Sequence, residues 1–226
     1  MLLGAWAPVS ELKIKNSYPK GTIISKLRIL DVGTGSGLIA RMLMQRCPEA
    51  EVEGIDIDEA AVEQARENGV KAYCSSLQEW PLSTFNFQLS TFKYDLIVSN
   101  PPYFQNSLKN PDEGRKAARH TDTLSYAELV HHSARLLTEH GQLALILPAE
   151  AENEIRQLAA VENLFLTHVT RVYSKENKKP KRVLLAFEKL KIKNYELKIS
   201  EDTLILEDEK GGRSAAYSEL CKEFYL

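Results

Sequence analysis

The sequence predicts an α/β protein with a mostly parallel, seven-stranded sheet, one antiparallel strand, and helices on both faces. Short apolar runs alternate with helical periodicity along most of the chain. The first run ends in a glycine-rich turn, Gly33-Thr34-Gly35-Ser36-Gly37, that opens a helix. The last two runs follow each other without an intervening helix, as an antiparallel pair does.

Leu27–Val32 reads as a buried strand and Leu38–Arg46 as the helix after it, stopped before Pro48. Glu51–Ile55 is a second strand. Asp58 is placed to cap a helix from Glu59 to Glu67 that closes near Gly69. Val70–Cys74 and Tyr94–Ser99 are the third and fourth strands. Thr123 or Ser125 caps a helix running to Leu137, and Gly141 breaks the pattern before a fifth strand, Gln142–Leu147. A helix over Glu150–Ala160 follows. Phe165–Val172 and Val183–Glu188 then read as strands joined by a Lys-rich connection.

The 226 residues suffice for one domain, residues 1–226, and are tight for two. No apolar run is long enough to span a bilayer and no secretory leader is evident, so a cytoplasmic protein is expected. Cys47, Cys74 and Cys221 show no disulfide or metal spacing. His131 and His132 are neighbours on a predicted helix and cannot both face one ion, so no metal site is expected. The formal net charge of -2 does not mark a nucleic-acid binder. Its distribution is uneven. Arg171, Lys175, Lys178, Lys179, Lys181, Arg182, Lys189, Lys191 and Lys193 face only Glu176 and Glu188 in the same stretch. On charge alone such a stretch is a solvated loop, yet a local basic patch also holds a polyanion.

Two segments carry chemistry. Asp31 and the glycines 33, 35 and 37 have the spacing GxGxG, not the GxGxxG of dinucleotide binders. Such a loop lets a ligand approach bare backbone. With Asp31 beside it to orient an ammonium, it suits the amino-acid end of S-adenosylmethionine. Asp56 ends the second strand, where a carboxylate accepts ribose hydroxyls. Gly33, Thr34, Gly35, Gly37, Asp31, Asp56 and Ile57 are therefore the candidate cofactor residues.

The second segment is Asn100-Pro101-Pro102-Tyr103-Phe104, directly after the fourth strand. Consecutive prolines fix φ and remove two N–H donors while their carbonyls stay available. Pro101 also steers Asn100 away from helical backbone. The stiff turn presents two acceptors, the Asn100 side-chain oxygen and the Pro101 carbonyl, which suit an NH2 group on a planar system. Such an amine can turn its lone pair towards a sulfonium methyl without a strong base, so catalysis is mainly orientation and charge placement. Tyr103, extended by Phe104, offers a face on which a flipped base stacks.

This pairing of Asp31-Val32-Gly33-Thr34-Gly35-Ser36-Gly37 with Asn100-Pro101-Pro102-Tyr103 resembles the class I amino-methyltransferases, and so implies their Rossmann-like fold. Further segments narrow the resemblance: Leu2-Leu3-Gly4-Ala5-Trp6-Ala7, Ala118-Arg119-His120-Thr121, Arg182-Val183-Leu184-Leu185-Ala186-Phe187, and Tyr217-Ser218-Glu219-Leu220 running into Phe224-Tyr225-Leu226. Together they resemble the bacterial enzymes that methylate N6 of adenine 37, next to the anticodon, in a valine tRNA. The resemblance implies S-adenosylmethionine as cofactor and tRNA as partner. It implies no obligate protein partner and a monomer. Asn100, Pro101, Pro102 and Tyr103 become the catalytic residues, with Asn100 also touching the cofactor. Arg119, Phe104, Lys175, Lys178, Lys179, Lys181 and Arg182 become RNA contacts. Relatives continue upstream of Leu2 with a Thr-Asp-Gly stretch that covers the cofactor, so this chain is expected to start inside that region. They also carry an Asp after the third strand for the cofactor's adenine amine. Here Ser76, with Leu77 as an apolar contact, takes that place.

Alternatives keep the chemistry and change the acceptor: adenine-N6 in DNA or ribosomal RNA, guanine-N2, or a protein glutamine. The last needs an N-terminal helical substrate domain, for which too few residues precede the first strand. A nicotinamide oxidoreductase is disfavoured by GxGxG, and a non-catalytic nucleotide-binding domain by the intact Asn100–Tyr103.

Overall fold

The computed structural model describes residues 1–9, 26–80, 93–101, 124–189 and 198–224. Over these residues the chain runs α1 (Leu2–Trp6), β1 (Arg28–Val32), α2 (Leu38–Arg46), β2 (Glu51–Asp56), α3 (Glu59–Glu67), β3 (Lys71–Cys74) and β4 (Tyr94–Ser99). It continues α4 (Tyr126–Leu136), β5 (Leu137–Pro148), α5 (Glu152–Val161), β6 (Leu164–Tyr173), β7 (Arg182–Lys189), β8 (Ser200–Ile205) and α6 (Ala215–Cys221). No helix among the described residues is long and apolar enough to cross a membrane.

The strands form one sheet in the order β3-β2-β1-β4-β5-β7-β6-β8. All pairings are parallel except those of β7, which runs against both β5 and β6. The fold class is the predicted one, but the sheet has eight strands, not seven. The extra strand, β8, lies at the edge beside β6. Its residues Ser200, Glu201, Asp202 and Thr203 are exposed, so no apolar alternation announces it.

Helices cover both faces. On one, Leu30, Val32, Ile97, Leu143 and Leu145 pack against Leu129 and Val130 of α4 and Ile155 and Ala159 of α5. On the other, Ile29, Leu96, Val98, Ala144 and Ile146 meet Leu43 of α2, Val62 and Ala65 of α3, and Leu3 of α1. This alternation along each strand is what a sheet buried on both sides requires.

The helix signals hold. Asp58 caps α3 by accepting from the Ala60 N–H at 3.0 Å. Ser125 caps α4, in a reciprocal box with Glu128. At the other end of α4, Lys93 donates to the Arg135 carbonyl and Lys189 to that of Ala134. These two ammonium groups satisfy carbonyls that the helix leaves open. The break expected at Gly141 is a register shift: Tyr94 pairs with Leu137, but Leu96 pairs with Gln142.

A structural charged group sits inside the sheet at β2. Glu53 is 1% exposed. Its carboxylate accepts from Lys71 Nζ at 2.6 Å, Arg28 Nη2 at 3.0 Å and the Tyr94 hydroxyl at 2.9 Å. Burial and the neighbouring Glu53 charge raise the Tyr94 phenol above its usual range. Glu53→Gln leaves the Arg28 guanidinium short of its buried partner and is expected to cost roughly 2–4 kcal/mol of unfolding free energy. Lys71→Met removes an exposed partner and is expected to cost under about 1 kcal/mol. Urea titrations compare the two variants, and equal losses would contradict this division.

Candidate active site

All the parallel strands end at one edge of the sheet, and the predicted motifs collect there. Gly33, Gly35 and Gly37 have φ of 69°, 54° and 81°, a region closed to most side chains. A Cβ built on Gly33 or Gly35 would meet nothing within 4 Å among the described residues, which leave the space above the loop open. A Cβ on Gly37 would lie 2.8 Å from Val70 Cγ2, so that glycine serves helix packing instead. The N–H groups of Gly33 and Thr34 both donate to the Ile55 carbonyl, at 2.9 and 3.0 Å, and so tie the loop to β2.

Asp31 lies beneath the loop and is fully buried. Its Oδ2 accepts from the Thr34 hydroxyl at 2.8 Å and from the Ala40 N–H at 3.2 Å. Its Oδ1 has no partner among the described residues. Burial pushes the carboxyl up to about 6, against the pull of its Thr34 and Ala40 hydrogen bonds. An unmatched carboxylate oxygen at this depth is costly unless a cationic ligand meets it. The ammonium of S-adenosylmethionine is such a cation, so the residues fit that cofactor.

Asp56 receives the Gly35 N–H on Oδ2 at 2.9 Å and the Asp58 N–H on Oδ1 at 3.1 Å. Each oxygen has a second acceptor direction, enough for the two hydroxyls of a ribose. Ile57 follows and is 56% exposed, an apolar surface beside the expected ribose. Ser76 is half-buried, and its Oγ accepts weakly from the Glu79 N–H at 3.3 Å. Leu77 departs from expectation. It is 2% exposed and packs into the core beneath β1, so its side chain does not line the open edge.

The second motif begins beside the first. Ser99 pairs with Val32, the residue before Gly33. The Ser99 hydroxyl donates to the Val32 carbonyl at 2.9 Å. Asn100 is therefore one residue beyond a locked strand pair, exposed, with Pro101 buried behind it. Pro102, Tyr103, Phe104 and Arg119 lie outside the described residues.

The basic residues reach the same edge. Tyr173 ends β6, and Arg182, which begins β7, pairs with Pro148 at the end of β5. Residues 174–181 thus turn on the side where Asn100 lies. Lys175, Lys178, Lys179, Lys181 and Arg182 are all exposed. Two members of the longer basic stretch are otherwise engaged. Arg171 forks onto Glu152 at 2.7 and 3.1 Å and reaches Glu201 at 2.9 Å, and Lys189 holds the end of α4.

Sequence reasoning missed Ser99 and Gly54. A Cβ on Gly54 would come within 2.8 Å of the Thr34 side chain. A glycine inside a strand does signal such close approach. Nothing in the sequence distinguishes Ser99 from any other strand-ending serine.

A family model described as the methyltransferase small domain matches residues 17–177. The tRNA1(Val) (adenine(37)-N6)-methyltransferase of Phocaeicola vulgatus is 40% identical over 231 residues, covering 100% of this chain and 88% of its own. The protein of that name from Bacteroides fragilis is 38% identical over 229 residues, with the same coverage. Among solved structures, a predicted O-methyltransferase from Agrobacterium tumefaciens superposes with a TM-score of 0.69 at 15% identity, over 98% of this chain and 94% of that one. A putative class I S-adenosylmethionine-dependent methyltransferase from Listeria monocytogenes gives 0.58 at 14% identity, over 87% and 62%. The family model and these relatives define a methyltransferase, and the solved structures share its fold. The chain belongs to the family of the tRNA1(Val) (adenine(37)-N6)-methyltransferases.

The buried Asp31 makes a testable trade. A carboxyl raised to about 6 in the fold contributes stability below its unfolded value and loses it as pH rises through 6. Asp31→Asn is therefore expected to melt higher than the parent at pH 7.5 without ligand, with the gap shrinking towards pH 5. The parent is expected to bind S-adenosylhomocysteine more weakly as pH falls below 6, and the variant to bind weakly throughout. Thermal midpoints with and without ligand across this range check both. A gap that widens towards pH 5 would contradict the assignment.

Proposed function

We propose that this chain transfers a methyl group from S-adenosylmethionine to N6 of adenine 37 in tRNA1(Val), the activity named for its full-length relatives. The observation that carries the reading is the Val32–Ser99 pair, which sets the first residue of the acceptor motif beside the glycine loop.

The bound cofactor supplies an electrophilic methyl on a sulfonium. Asp31, with Oδ1 unmatched among the described residues, would hold the ammonium at the amino-acid end, Asp56 would take the ribose hydroxyls, and Ile57 with Ser76 would flank the adenine. Asn100 Oδ1 and the Pro101 carbonyl accept the two hydrogens of the target amine. That pairing draws the nitrogen out of conjugation and turns its lone pair towards the methyl. When bound, the cofactor would supply the methyl to the amine nitrogen and leave as the thioether S-adenosylhomocysteine, with the displaced proton passing to solvent. As an aromatic residue Tyr103 would suit stacking on a flipped base, and Phe104 and Arg119 would suit the RNA beside it; all three lie outside the described residues.

The test is tritium transfer from labelled S-adenosylmethionine to unmodified valine tRNA, followed by nucleoside mass spectrometry. N6-methyladenosine at position 37 is the expected product. Asn100→Ala is expected to lower turnover on the order of a hundredfold while leaving S-adenosylhomocysteine affinity within about threefold. Equal losses in both would make Asn100 a cofactor residue only. No transfer by a protein that binds cofactor would overturn the reading.

A further inference from the structure

The charges along the carboxyl edge are ordered, and their order assigns a path to the substrate backbone. From β4, which ends at Ser99 just before Asn100, the edge continues through β5 and β7 to β6 and β8. At about 4.8 Å per strand step, the hairpin 174–181 begins roughly 10 Å from Asn100 at β7 and reaches roughly 15 Å at β6. Lys178, Lys179 and Lys181 are exposed there, and among the described residues no ion pair engages them. Beyond β6 the segment after β8 carries both signs, Glu207, Asp208 and Glu209 and then Lys210 and Arg213, with Glu207 next to the hairpin. Glu207 donates its N–H to the Ser174 carbonyl at 3.0 Å, which fixes the segment after β8 against the root of the hairpin. That segment begins Glu207-Asp208-Glu209. Its Glu207 carboxylate stands 3.5 Å from Lys175 Nζ. Asp208 is occupied in shaping the turn, accepting from the N–H groups of Lys210 and Gly212 at 2.9 and 2.8 Å.

Resting on the RNA reading above, we propose that the hairpin 174–181 grips backbone phosphates a few nucleotides from the base held at Asn100, and that the Glu207 segment fences its outer side. Phosphates reach Lys178, Lys179 and Lys181 from the Asn100 side. On that outer side the Glu207 carboxylate stands beside Lys175, against a phosphate approaching the hairpin root from β8. The span is short, which suits a looped single strand whose flipped base and gripped phosphates are near neighbours. Lysines here act as point charges on phosphate and read no sequence.

Filter binding of the unmodified valine anticodon stem-loop over a salt series tests this, beside methyl transfer to the same RNA. Replacing Lys178, Lys179 and Lys181 together by Gln is expected to weaken binding tenfold or more. It should also flatten the slope of log affinity against log salt by about 2, at roughly 0.7 per lost single-strand contact. S-adenosylhomocysteine affinity and the melting midpoint are expected to stay unchanged, since these lysines are exposed. Glu207→Gln is expected to tighten RNA binding, roughly two- to fivefold. A methylating enzyme whose triple variant keeps its affinity and slope would overturn the hairpin assignment. Weaker RNA binding by Glu207→Gln would overturn the fence. Hairpin-dependent binding of the stem-loop by wild-type protein that never methylates it would support the grip and overturn the tRNA reading instead.

Discussion

Ser99 closes β4 by giving its hydroxyl to the Val32 carbonyl, the last of β1. Everything functional at the carboxyl edge depends on that junction. On one side of it the chain turns through Gly33 into the cofactor loop. On the other it turns through Asn100 into the acceptor motif. Parallel strands are about 4.8 Å apart, so in the proposed reaction this one strand step would bring the methyl donor and the methyl acceptor together. The rule that ligands bind beyond strand ends where the winding reverses has its physical content here. The chain leaves β1 towards β2 and returns at β4 on the other side.

Beneath the junction the molecule accepts an electrostatic cost. Asp31 is fully buried, with one oxygen satisfied and the other without a partner among the described residues. Glu53, also buried, is handled in the opposite way: two cations and a phenol surround it. The contrast separates a structural carboxylate from a ligand-binding one. A structural charge is saturated within the protein, whereas a binding charge is left one partner short.

Much of this was legible in the sequence, for identifiable reasons. The strands buried on both faces carry strong apolar runs, and Asp58 and Ser125 are the helix caps their residue types suggest. The glycine spacing marked the loop after β1 because few residues tolerate the positive φ found at Gly33, Gly35 and Gly37. What was not legible depends on tertiary context. β8 is polar and gains its strand state only by pairing with β6. α1 is too short to be helical alone. It is held by α2, where Arg46 donates to the carbonyls of Gly4 and Ala7, and by β6, where Trp6 donates to Thr170. The terminal segments behind the family resemblance, Leu2–Ala7 and Tyr217–Phe224, turn out to touch: Ala5, Met42 and Cys221 form one cluster with Tyr217, Leu220 and Phe224 around it. Of the basic stretch, sequence could not tell that Arg171 is committed to Glu152 and Glu201 while Lys178 is not.

The central claim is that donor and acceptor groups meet at the Val32–Ser99 junction. Amide chemical-shift mapping tests it most directly, with isotope-labelled protein titrated by S-adenosylhomocysteine and then by the anticodon stem-loop. The account predicts that the first ligand moves Gly33, Gly35, Ile57, Ser76 and Asn100. The second should move Asn100 again together with residues 175–182. First-ligand shifts centred elsewhere, or a stem-loop response that leaves Asn100 untouched, would contradict it.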